Sequence, residues 1–469
     1  MYQKSNIKIN LTGGLISPTH FLNILDIARH ALVEEVRFGA RQQLLMEIPY
    51  RATLFFERKM AAANLIFEKD MQINPTITSS FAFANITQNA TSWVSEGEYF
   101  DIFNLFDYKP NLKVNICDGN QSHAPFFTGH LNFISSEIPH FWYCYIRLPK
   151  TNTIERFPKL IYTPSIAVFA KQLEEQILKH SLEIKNILSI DFEIDEIIFR
   201  QIEQDLTIPR FMMPYYEGIN AQSEDKVWLG IYRRNETFSV QFLMALCQLC
   251  EANQIGNICI TNWRSLIIKD IPKADRLQWE KLLGKHGINV RHATNELNWQ
   301  TEDDSEKGFK LKQYLVKSFD ELDARTYGLV FAVKTRHKSE VFGSVIIRRE
   351  PLFRIGKYEF DFFGLFGLYN IFYAEDFNPH TRKRKTFQTG LSKARLPEAL
   401  LSLTKKYYRE LIVIHKTLKI NVKQDKNTAS FVEKHTRCRD CWTVLDSQMT
   451  ICPTCDAEMA TFEQVALSQ

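Results

Sequence analysis

Four cysteines in the last 32 residues carry the most specific chemistry in the chain. Cys438, Cys441, Cys452 and Cys455 form two C-x-x-C pairs separated by ten residues. Each pair can curl into a knuckle that offers two thiolates, with backbone N–H groups turned to the sulfurs. Two facing knuckles complete a tetrahedral S4 site for one metal ion, and both iron and zinc accept that geometry. The segment HTRCRDCWTVLDSQMTICPTCDAEMATFEQV is too short and too poor in apolar residues to fold by burial, so ligation must supply its folding free energy. The element that holds this unit (435–469) is expected to be a tether. Residues 421–434, NVKQDKNTASFVEK, are polar and lack apolar periodicity, which reads as a linker.

The other five cysteines, Cys117, Cys144, Cys247, Cys250 and Cys259, are scattered. An odd total and one tight cluster argue for a metal site plus free thiols and against a disulfide framework. Cys247 and Cys250 form a further C-x-x-C, but they share a helical stripe with Leu243, Leu246 and Leu249, so core packing is expected of them. A net charge of +4 over 469 residues is too small to imply nucleic acid as a partner. No apolar run approaches the roughly 20 residues that span a bilayer. The N-terminus MYQKSNIKINL lacks the pattern of a signal peptide. A cytoplasmic protein of several domains, with no membrane partner, is the expectation.

The body contains a repeat. Residues 19–49, THFLNILDIARHALVEEVRFGARQQLLMEIP, and 240–272, VQFLMALCQLCEANQIGNICITNWRSLIIKDIP, follow one plan: an amphipathic helix, a short strand, a turn bearing Arg, and a strand ending in Ile-Pro. Arg41 matches Arg264, and Pro49 matches Pro272. In the first copy, Phe21, Leu22, Ile24, Leu25, Ala28 and Leu32 fall at helical spacing, with Ser17-Pro18 as the start.

Two resemblances follow from these motifs. The tail, with its C-P-x-C second knuckle and Phe462-Glu463 beyond it, resembles rubredoxin, with the short spacer of the rubrerythrin domain and with Trp442 and Asp456 where Gly is usual. That resemblance implies iron, with structural zinc as the alternative. The body resembles the siroheme sulfite and nitrite reductases. Gly13-Gly14, the helix, and Arg37, Arg41 and Gln42 match the family's Gly-Gly turn and Arg-x-x-x-Arg-Gln turn. Gly218-Ile219-Asn220 and Trp228-Leu229-Gly230 open a second such half domain, and Lys113 in YKPNLKVNI matches the last lysine of a family motif.

The resemblance implies an α+β body of two ferredoxin-like half domains (1–70 and 211–300) and two central reductase-like α/β pieces (71–210 and 301–420), followed by the linker and the rubredoxin-like unit. It also implies that Arg37, Arg41, Lys113 and Arg264 are remnants of an anion groove that in the family holds siroheme carboxylates. The family's 4Fe–4S cluster is not expected, because no cysteine lies between Cys259 and Cys438 and Thr335-Arg336-His337-Lys338 stands where ligands belong. Siroheme is not expected either, because the family's Arg-Asn motif after the first half domain is not recognisable in FAFANITQNATSW (81–93). The sequence thus implies an electron carrier and not an enzyme: a rubredoxin-type iron centre with four cysteine ligands on a degenerate reductase body, working with a redox partner of nitrite or nitrate assimilation. The alternatives are a zinc-ribbon scaffold or assembly factor, and a siroheme-retaining reductase fed by the rubredoxin iron. The basic stretch His380–Lys385, after the turn signal Asn378-Pro379, reads as a solvated loop.

Overall fold

The computed structural model describes residues 4–70, 74–86, 92–149, 151, 153–180, 197–213, 215–290, 296–336, 341–350, 353–355, 358–360, 368–424, 436–437 and 444–445. The four tail cysteines and His337 lie outside the described residues. No described helix is long and apolar enough to cross a membrane.

The first half domain is built from β1 (Lys4–Ile9), β2 (Leu15–Ile16), α1 (Pro18–His30), β3 (Glu35–Phe38), β4 (Leu44–Pro49), α2 (Tyr50–Ala62) and β5 (Glu68–Lys69). Ser17 caps α1 by accepting from the His20 N–H at 3.3 Å, with Pro18 at the first helical position, where its missing N–H costs nothing. Gly13 and Gly14 take positive φ (66° and 78°) in the turn before β2. Gly13 also lies so close to the Phe103 ring that a Cβ would sit 2.2 Å from it. The second half domain repeats the plan with β13 (Gly218–Ala221), β14 (Lys226–Ile231), β15 (Thr237–Ser239), α5 (Val240–Ala252), β16 (Ile258–Ile260), β17 (Leu266–Pro272) and α6 (Arg276–Lys285).

The halves exchange strands. β2 pairs with β16 in the second half's sheet, and β15 pairs with β3 in the first half's sheet. Each exchanged strand leads directly into its helix, so α1 and α5 meet. Phe21, Ile24, Leu25 and Ala28 are buried in one core with Phe242, Leu243, Leu246 and Cys247. Full burial of one such large apolar side chain is worth about 1.5–3 kcal/mol, so the two halves form one cooperative body.

The duplication extends to the central pieces. In the first, β6 (Thr78–Ser79), β7 (Val114–Cys117) and β8 (Leu131–Ser135) run parallel. They are followed by antiparallel β9 (Phe141–Ile146), the short β10 (Glu155–Arg156) on its side, β11 (Lys159–Tyr162) and β12 (Phe199–Gln201). Helices α3 (Glu96–Leu105) and α4 (Ile166–His180) complete this piece. In the second, β18 (Trp299–Thr301), β19 (Phe331–Lys334) and β20 (Val345–Glu350) are parallel. A small hairpin of β21 (Phe353–Ile355) and β22 (Tyr358–Phe360) precedes antiparallel β23 (Leu368–Ala374) and β24 (Arg384–Leu391). Helices α7 (Glu306–Glu321) and α8 (Leu396–Gln424) match α3 and α4 in order.

The last helix continues to Gln424, four residues into the segment expected to be linker. The basic stretch also differs from its expected form. His380 is buried in a 3-10 turn, and β24 begins at Arg384, so only part of the stretch is solvated. The reason is aromatic: the His380 ring lies 4.3 Å from the Phe126 centroid and 5.0 Å from that of Phe342. Its Nε2 is 3.0 Å from the Ser122 carbonyl, and its Nδ1 accepts from the Phe126 N–H at 3.4 Å. Burial lowers its pKa to about 4, so it is neutral.

Candidate anion-binding cleft

The two Arg turns touch, and one carboxylate joins them. The Asn262 amide donates to the Ala40 carbonyl at 3.1 Å, while the Ala40 N–H donates to Asp303 at 3.2 Å. Gln42, at φ 61°, is buried and staples three elements together. Its amide N–H₂ donates to the Ser79 and Ile260 carbonyls at 3.0 and 2.9 Å, and its carbonyl accepts from the Ser79 N–H at 2.8 Å.

The arginines on these turns have different fates. Arg264 is 3% exposed and fully engaged. It donates to Asp303 at 2.8 Å, Gln300 at 2.8 Å and the Thr301 carbonyl at 2.6 Å, with Glu236 at 3.5 Å. Glu236 in turn accepts from Lys312 at 2.5 Å. Burial opposes the charge on Arg264, but the Glu236 and Asp303 carboxylates outweigh it and hold its pKa up. Arg37 is half-exposed, near Glu47 at 3.5 Å and Asp304 at 3.2 Å. Both arginines line a groove of about 1030 Å³ in which ten carboxylates face four cations. That balance suits no anion.

Arg41 and Lys113 belong to a second place with the opposite balance. Arg41 donates to the Asn115 side chain at 3.1 Å and to the Thr76 and Val114 carbonyls at 2.7 and 3.1 Å. Its Nε is buried and has no partner among the described residues. Burial, then Arg147, lowers its pKa to about 9. Lys113 is lowered to about 8 by burial, then Arg41 and Arg147, with only Asp303 opposing. His130, whose Nδ1 accepts from the Lys113 N–H at 3.1 Å, is lowered to about 3 by burial and by Arg147, Lys113 and Arg41. Arg147 donates to the Gly129 and Thr128 carbonyls at 3.1 and 3.3 Å and is lowered to about 10 by burial, then Arg382. Arg382, in a left-handed conformation at φ 57°, donates to the Phe127 carbonyl at 2.8 Å.

The file continues outward. Arg384 and Arg348 stand at its outer end, and Lys334 is lowered by burial, then Arg384 and Arg348, with Glu302 and Glu350 opposing. A row of cations that depress one another, opposed at its inner end chiefly by one carboxylate already bound to Arg264, is short of negative charge. Such a row favours an anion beside it.

The structure therefore brings Arg41 and Lys113 together and puts Arg37 and Arg264 elsewhere. Arg147 and His130 escaped the sequence reading, and Arg382 was read only as part of a solvated loop. The one visible signal for Arg147 is a cation ending the apolar run FWYCYI, at a buried position.

No family model matches the chain, and no curated protein sequence matches it. Among solved structures, the Mycobacterium tuberculosis NirA protein is similar in fold, with a TM-score of 0.59 at 11% identity over 85% of this chain and 80% of that one. This likeness is one of fold alone.

Proposed function

We propose that the chain is an electron-transfer protein. A rubredoxin-type iron held by Cys438, Cys441, Cys452 and Cys455 exchanges single electrons with a redox partner in nitrite or nitrate assimilation, and the reductase-like body supplies an anion-binding cleft. The observation that carries this reading is the hairpin of β25 (Thr436–Arg437) and β26 (Val444–Leu445), whose antiparallel strands flank the first C-x-x-C pair. The donor set fits iron, since four thiolates at this spacing make the S4 site that passes electrons with little change in geometry. The five body thiols offer no competing site. All are buried, and burial pushes every one upward, Cys259 to about 11 and Cys247 to about 12, so they stay protonated and inert. Replacing Cys452 with Ser tests the assignment. The variant should lose its metal and visible colour while the body stays folded; a variant that keeps full metal content contradicts it.

A second reading is favoured by the cleft itself. The orphaned Arg41 Nε and the Lys113 ammonium, for which no partner is found among the described residues, are suited to carboxylates such as those of siroheme. A body that retained siroheme would be a reductase fed by the iron. A tetrapyrrole absorption band in the purified protein would support it. Zinc in the tail would instead leave a scaffold or assembly factor.

A further inference from the structure

The duplication leaves one strand edge bare. In the first central piece, β11 is covered on its outer edge by β12, which the chain supplies after it leaves α4. The counterpart of β11 is β24, eight residues long and exposed along nearly all of its length, and among the described residues it pairs only with β23. The counterpart of the chain that follows α4 is the chain that follows α8. An eight-residue open edge is a template for another strand.

Charge points the same way. Residues 436–469 hold five acidic side chains, Asp440, Asp446, Asp456, Glu458 and Glu463, against Arg437 and Arg439, while the whole chain is at +4. Four thiolates around a di- or trivalent ion make this unit more negative still. β24 starts at Arg384 and Lys385, beside Arg348 and Lys334. Lys385 lies 3.4 Å from Glu375 and Arg348 pairs with Glu350, whereas among the described residues no carboxylate pairs with Arg384 or Lys334.

Reach permits the contact. Lys406 donates to the Tyr373 hydroxyl at 2.7 Å, and Tyr373 pairs with Lys385, so α8 passes the Arg384 end of β24 near residue 406. The helix beyond that point is about 25 Å long at 1.5 Å per residue. The eleven residues 425–435 span up to about 36–40 Å when extended. The chain can therefore return to β24, and a tether this short keeps the effective concentration high.

We propose that the C-terminal segment 425–469 docks on its own body, covering the β24 edge as β12 covers β11 and seating its acidic four-thiolate unit on the basic end at Arg384. This deepens the electron-transfer reading and rests on it only for the metal's identity: the centre would stand at the outer end of the cation file that leads inward to Arg41.

Hydrogen exchange and carbodiimide cross-linking of the full-length protein test the docking. The outward main-chain N–H groups of Arg384–Leu391 should exchange at least tenfold more slowly than in the full-length Arg384→Glu/Lys385→Glu variant, with β23 unchanged as the check on folding. Cross-links should join tail carboxylates to Lys383 or Lys385 within one chain. Open-edge exchange rates in the native protein would overturn the proposal. Links formed only between chains would overturn it in favour of a second copy as the occupant. Metal analysis of the same sample separates the two readings. A docked zinc tail keeps the docking and sinks the electron carrier, whereas an undocked iron tail does the reverse.

Discussion

Asp303 grips Arg264 at 2.8 Å while the same carboxylate accepts from the Ala40 N–H on the opposite Arg turn. One carboxylate thus locks the second half domain's arginine into the body and bridges to the first half domain. Arg264 is consequently a structural cation. Its replacement by Leu leaves Asp303 without its close cation and Glu236 with Lys312 alone, and breaking a buried pair in this way costs about 3–5 kcal/mol. Chemical denaturation should show that loss. Binding of a polycarboxylate to the cleft should persist in whatever protein remains folded, and loss of binding at unchanged stability would contradict the assignment.

Lys113 should make anion binding pH-dependent. Its pKa lies near 8, so it is charged below that value and neutral above it, and affinity should fall as pH rises from about 7 to 9. For the empty protein the sign on stability is opposite. The depressed ammonium favours the unfolded chain at low pH, so this group's contribution to stability rises between about 8 and its ordinary 10.5. Lys113→Met should flatten both profiles, as read by isothermal titration and by thermal melting.

Glu217 tests the account of the second half domain. It is 5% exposed, and among the described residues neither carboxyl oxygen has a hydrogen-bond partner. Burial, then the Glu296 charge, raises its pKa to about 8. Its penalty is absent below about 4.5 and grows as pH rises toward 8, because the unfolded carboxyl ionises first. Glu217→Gln should match the parent at pH 4.5 and exceed it by more than about 1 kcal/mol at pH 8. Equal stability at both pH values would show that the carboxylate finds a partner.

The half domains were legible because their signals are local. α1 shows its stripe from Phe21 to Ala28, and Ile-Pro ends both β4 and β17. The strand exchange was not legible, since β2 and β15 are two and three residues long and carry no periodicity. The repeat of the central pieces was hidden because buried parallel strands such as β7 (VNIC) and β19 (FAVK) need only be apolar, so their residues diverge freely. Of the four cations expected to share one groove, the structure brings only Arg41 and Lys113 together. Arg41 and Lys113 were found by motif, but whether an arginine is paired, as Arg264 is, depends on residues such as Glu236 and Asp303, which only the tertiary fold brings to it. Arg147 and Arg382 act together through the same tertiary contact, 235 positions apart in a 469-residue chain.

The metal of the tail decides the central claim, and an absorption spectrum with metal and acid-labile sulfide analysis reads it directly. The full-length protein, purified from iron-replete cells without chelators, should be red. It should hold one iron per chain and no labile sulfide, with thiolate-to-iron bands that bleach on addition of one electron. Ferric thiolate centres absorb visible light, whereas zinc, a filled-shell ion, is colourless and redox-silent. A colourless protein holding one zinc per chain would contradict the electron-transfer account.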